Sequence, residues 1–169
     1  MKYTSAEANK MLKKLGEEKE SLISMENASS TFKASLGEDP ETLRPEYDYS
    51  SVQKELEEIE RRVREVKHAI NLFNVKTVLP NSKITIDQAL ILMPQLKEQK
   101  HKLFEMKNRM KKERAKGLDY MRSSIIDYIY VNYDLNQVKK DYDAVSEKLA
   151  SLQLELDTVN STKTFEINI

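Results

Sequence analysis

The residues best suited to metal chemistry are the two histidines, His68 and His101, in a chain that has no cysteine. A zinc site needs three or four ligands at matched spacing. Neither histidine has such company nearby in sequence, so both read as solvated side chains. Glu65 and His68 do stand three apart, the spacing a di-metal helical bundle takes from each of two helices. That pair occurs once, and Val66 beside it belongs to an apolar seam that faces elsewhere. No metal and no cofactor is therefore expected. Glu55, Glu57, Glu58, Glu60 and Glu65 crowd one segment. General acid–base work needs a carboxylate held in a cleft with a shifted pKa, whereas Glu mixed with Lys and Arg along a helix is ordinarily a solvated face. No catalytic residue is assigned, and the chain is read as a non-enzyme.

Two further groupings bear on binding. Of eight tyrosines, Tyr120, Tyr128, Tyr130, Tyr133 and Tyr142 lie close in sequence. Aromatic rings beside lysine stack nucleic-acid bases. They also make protein interfaces, where the ring is buried and the hydroxyl stays wet, and this second reading is preferred for Tyr128, Tyr130 and Tyr133. Residues 97–116 carry nine Lys or Arg against three Glu. Lys97, Lys102, Arg109, Lys112 and Lys116 form a candidate basic surface of the kind that tracks phosphates. Residues 38–60, in turn, carry nine Asp or Glu against two Lys or Arg. Antiparallel pairing of the helices holding these segments would set Glu55 and Glu60 beside Lys107, Lys111 or Arg114. Internal compensation then explains both charge runs, and the formal net charge of zero gives no overall field toward nucleic acid or anionic lipid.

The elements that position these residues are helices. Hydrophobic residues are 39% of the 169 and charged residues 33%, with 3 Gly and 4 Pro. That balance suits slender helices that bury one stripe and solvate the rest. Thr4 with Glu7 is a capping-box pattern that opens a helix over about residues 4–28. Val52, Leu56, Ile59, Val63, Val66, Ile70 and Phe73 step by four and three, a seam for another helix over about 50–74. Thr85 with Gln88 opens a third helix, about 86–116, in which Pro94 predicts a kink or a late start and Gly117 a stop. Asp134 with Gln137 opens a fourth, about 134–160, with the seam Val138, Tyr142, Val145, Leu149, Leu152, Leu156 and Val159. Leu56, Val63, Leu149 and Leu156 are expected to be buried. Alternating or β-branched runs predict short strands near 30–36, 75–86, 125–133 and 162–168. The expectation is one mainly α domain over residues 1–169, with long antiparallel coiled-coil-like helices in a bundle and a few short strands.

Several stretches together resemble the septicolysin-like family of small, uncharacterised bacterial helical proteins. They are Glu38-Asp39-Pro40-Glu41-Thr42-Leu43, Ile70-Asn71 with Asn74, Thr85-Ile86 with Ala89-Leu90, Val131 followed by Asp134, and Leu156-Asp157 with Asn160 and Thr162. Ser161 stands where the family pattern carries a Trp. The resemblance implies a helical fold and offers no catalytic residues to transfer. The cytolytic activity in the family's name is not carried over. The N-terminal residues Met1 to Glu7 have no apolar run, and no stretch reaches the ~18 apolar residues of a membrane helix. The expected function is thus structural or interactive, working through helix pairing and self-assembly in the cytoplasm. The expected partner is a second copy, with a different protein partner compatible. Neither nucleic acid nor membrane is expected as a partner. A cytolysin-like protein and a nucleic-acid-binding helical module stand as the alternatives.

Overall fold

A computed structural model describes residues 1–115 and 127–168. The chain is mainly helical, as expected, with short antiparallel strands. Its contacts group into two compact units, Met1–Val78 with the residues from Asp157 onward, and Leu79–Leu156.

The first unit begins with β1 (Lys2–Thr4), which pairs antiparallel with β4 (Thr164–Glu166) near the other end of the chain. The partners are Lys2 with Glu166, Tyr3 with Phe165 and Thr4 with Thr164. The Ile167 N–H donates to the Met1 carbonyl at 3.0 Å, and the Met1 amine donates to the Ile167 carbonyl at 3.2 Å. Three residues without alternation gave no sign of β1 in the sequence. Helix α1 (Ser5–Ser29) follows, opened by the expected capping box: Thr4 N–H donates to Glu7 Oε2 at 2.8 Å, and Glu7 N–H to Thr4 Oγ1 at 3.2 Å. The short α2 (Pro40–Leu43) has Asp39 as its cap and Pro40 in its first turn.

Helix α3 (Tyr49–Lys76) packs on α1. Gln53 Nε2 donates to Glu26 Oε1 at 2.9 Å, while Lys19 and Glu60 meet at 2.6 Å. The contacts step in opposite senses along the two helices, so these helices are antiparallel. Ala8, Leu15, Val66 and Ile167 form the buried centre, with Tyr3, Ile59, Val63 and Phe165 half-buried around it. Lys19, rather than Lys107, Lys111 or Arg114, is the partner of Glu60. The helix that neutralises this carboxylate is therefore α1, and the pairing of charge runs expected from sequence is not what holds it.

The second unit starts with a turn, in which Leu79 N–H donates to Ile84 O at 2.8 Å and Lys83 takes a positive φ of 57°. Helix α4 (Ile86–Lys107) has its Thr85–Gln88 capping box in place. It starts at Ile86 and runs through Pro94, so of the kink or late start expected there the late start does not occur. The carbonyl that Pro94 leaves without a helical donor is that of Leu90, a residue exposed to water. Helix α5 (Leu135–Thr162) lies antiparallel to α4 within this unit: Tyr142 is 6.1 Å from Phe104, and Leu152 shares a hollow with Leu92.

Several sequence expectations are corrected. The third long helix stops at Lys107 instead of 116, because residues 111–115 turn away to pair as β2 (Lys112–Arg114) with β3 (Tyr128–Tyr130). The expected stop at Gly117 lies outside the described residues. Residues 30–36 form no strand: the alternation there finds no partner strand among the described residues, and Phe32 instead lies 5.5 Å from the Arg44 guanidinium. Val75 continues α3, so the hairpin expected over 75–86 shrinks to the turn at Pro80-Asn81-Ser82, closed by the bond from Leu79 N–H to Ile84 O. The strand expected over 125–133 is assigned at Tyr128–Tyr130, with Ile125 and Ile126 outside the described residues. Of the four seam residues expected to be buried, Leu156 is, whereas Leu56, Val63 and Leu149 are half-buried.

Candidate functional site

Three places gather groups capable of chemistry or recognition. The most exposed is the β2–β3 ribbon. Its register sets Lys112 opposite Tyr130, Glu113 opposite Ile129 and Arg114 opposite Tyr128. Residues directly opposite share a face, so Lys112, Arg114, Tyr128 and Tyr130 occupy one face, and Glu113 and Ile129 the other. Tyr128, Ile129 and Tyr130 are 46%, 49% and 62% exposed. The two tyrosine rings are 6.5 Å apart, tilted by 54°, and the Lys112 ammonium stands 3.9 Å from the Tyr128 centroid and 5.4 Å from that of Tyr130. A cation held over aromatic faces is attracted by the ring quadrupoles. Arg109 and exposed Met110 border the hollow beside Ile129.

Tyr133, grouped with these tyrosines in sequence, is half-buried instead. Its hydroxyl donates to the Met106 carbonyl at 2.8 Å and ties the strand's exit to the end of α4. Of the candidate basic residues, Lys97 and Lys102 are exposed on α4, Arg109 follows that helix, and the Lys112 ammonium lies over the tyrosine rings. Lys116 lies outside the described residues. Sequence reasoning missed a second aromatic–cation group: Lys107 Nζ is 3.5 Å from the Tyr142 centroid and 5.3 Å from that of Phe104. Lys107 lies three residues after Phe104, which was a readable signal for their meeting.

A cleft of about 480 Å³ lies in the first unit. The stacked rings of Phe73 and Phe165, 4.6 Å apart, line it together with Leu72, Glu65, His68 and Lys76. Glu65 Oε1 accepts from Arg61 at 2.6 Å, while Oε2 is buried with no hydrogen-bond partner among the described residues. The Glu65–His68 pair seen in sequence thus borders this cleft. No group of three or more His, Cys, Asp or Glu able to hold a metal ion occurs among the described residues.

The third place is Glu155, 6% exposed in the second unit. Its carboxylate accepts hydrogen bonds from the Asn81 N–H, the Ser82 hydroxyl and, at 3.2 Å, the Ser82 N–H. Burial pushes its pKa up. The Ser82 hydroxyl, the two N–H groups and the charge of Lys83 outweigh that and hold the carboxyl below the usual glutamate value. This is a latch for the turn after Leu79, with the charge already satisfied.

Neither the family models nor the curated proteins contain a match to this chain. Among solved structures, the chain is similar to the crystal structure of a functionally unknown conserved protein from Corynebacterium diphtheriae. The TM-score is 0.59 at 16% identity, with 98% of this chain and 100% of the other covered. The likeness extends to the fold alone.

Proposed function

We propose that this protein is a non-enzymatic interaction protein that works through helix pairing and self-association, with the β2–β3 ribbon as its docking element. The observation that carries this reading is the ribbon itself, whose two tyrosines and one isoleucine are all about half exposed or more beside Met110. Tyrosine, methionine and arginine are enriched where proteins meet, and clustered exposed apolar groups mark interaction surfaces more often than idle ones. The same reading assigns the protein to the cytoplasm, and no helix among the described residues is long and apolar enough to cross a membrane. Kinship with the septicolysin-like proteins is part of the proposal and rests on the residues that resemble them.

Size-exclusion chromatography with light scattering tests the reading at micromolar concentrations. The expected mass is that of a dimer or larger assembly. A monomer mass would defeat it, all the more if the protein then retained RNA or DNA in a salt-dependent way or released dye from liposomes.

A further inference from the structure

The ribbon has two outer edges, and they differ in what a second copy would meet there. Ala115 N–H donates to Asp127 O at 3.0 Å, and Val131 N–H to Lys111 O at 3.2 Å. Hydrogen-bonded and non-bonded pairs alternate along an antiparallel ladder. Glu113 and Ile129 are therefore the bonded pair between those two. Tyr128 and Tyr130 turn their N–H and C=O groups to the outer edge of β3, and Lys112 and Arg114 turn theirs to the outer edge of β2. Among the described residues, neither edge carries another strand.

A two-fold axis beside β2 and centred on Glu113, the counterpart of one centred on Ile129, would set Glu113 against Glu113 and Lys112 against Arg114. In that register these three charged residues meet only like charges, which destabilises pairing. A two-fold axis beside β3 would set Ile129 against Ile129 and Tyr128 against Tyr130, pairs that are apolar or aromatic. The main-chain groups of each tyrosine would bond those of the other copy's tyrosine. One edge thus repels its own copy and the other matches it, the contrast by which natural sheets direct pairing.

Building on the self-association reading, we infer that a second copy docks antiparallel along the outer edge of β3, centred on Ile129, and forms a sheet ordered β2-β3-β3-β2. The interface is isologous, so it closes on two copies and does not extend into a fibre. The tyrosine rings of both copies then line one face of the joined sheet, with a Lys112 ammonium over each pair of rings.

The test uses the full chain with Ile129→Lys, Ile129→Glu and an equimolar mixture of the two, followed by light scattering. Ile129 is half exposed and faces Glu113 within its own ribbon, so lysine there is compatible with the folded monomer. Unchanged far-UV circular dichroism checks this. Each variant alone sets like charges across the axis and is expected to weaken the dimer by roughly tenfold or more. The mixture sets opposite charges there and is expected to recover the dimer mass. Wild-type mass in Ile129→Lys alone would overturn the edge assignment while leaving self-association standing. Failure of the mixture to recover the dimer mass, with both variants keeping the wild-type circular dichroism, would overturn it as well. A monomeric wild type would remove the self-association reading and this inference together.

Discussion

Replacing Glu155 by alanine perturbs a buried charge whose every role is visible. The carboxylate takes three donors, the N–H groups of Asn81 and Ser82 and the Ser82 hydroxyl. A hydrogen bond to a charged group contributes about 1.5–3 kcal/mol net. Asn81 and Ser82 lie at the surface, so in Glu155→Ala water takes over their donors and part of the loss is recovered. The expected destabilisation is about 2–4 kcal/mol, read from urea denaturation followed by circular dichroism. The folded carboxyl is held below its ordinary value of 4.5. Its stabilisation is therefore fully present above that value and is lost as pH falls through the lowered folded pKa. The stability difference between wild type and Glu155→Ala should shrink as pH drops from neutral into that range. A difference under half a kcal/mol at neutral pH, or one that stays constant on acidification, would refute the latch.

Two other outcomes are expected. Leu156→Ala should cost about 2–5 kcal/mol as a buried core truncation, and half-buried Leu56→Ala distinctly less, both measured by denaturant unfolding. Equal costs would contradict the burial described. Tyr47 donates its hydroxyl to the Glu26 carboxylate at 2.7 Å, and that bond, with some desolvation, raises its pKa to about 12. The bond's contribution to stability is present below the ordinary tyrosine pKa of 10.0 and is lost as pH rises through the folded value. Ultraviolet absorbance titration should show one tyrosine ionising late, and Glu26→Gln should bring it back toward the others.

The helix starts were legible because they depend on neighbours in sequence. Thr4 with Glu7 and Thr85 with Gln88 satisfy backbone donors within one turn, whatever else the chain does. The end of α4 was not legible, because Met106 and Met110 keep the helical spacing. What overrides it is the ladder to Tyr128–Tyr130, a contact across many residues. The seam of α3 was read with the right period but too evenly. Val52, Val66 and Phe73 are buried, while Ile59 in the same row and Leu56, Val63 and Ile70 in the adjoining row are half-buried. Periodicity reports that a stripe exists but not how far a single partner helix covers it. The candidate site was half visible. The tyrosines and basic residues stood out by type, whereas which of them meet was decided by strand register, and that put Lys112 over Tyr128 and turned Tyr133 inward.

The pairing of β1 with β4 also sets an order of events. Lys2 and Glu166 are neighbours in space but lie at nearly opposite ends of the sequence. Closing so long a loop adds little to the equilibrium cost, since each doubling of length adds only about 0.6 kcal/mol. Its effect falls on rate, because contacts between distant segments form late. During synthesis from the N-terminus, β1 stays single until Thr164–Glu166 has left the ribosome, while α1 and α3 are already free to pair. Ile167, buried against Ala8, Leu15 and Val66, then fills a core whose other walls were made first. β1, made before β4, is among the last elements to find its partner.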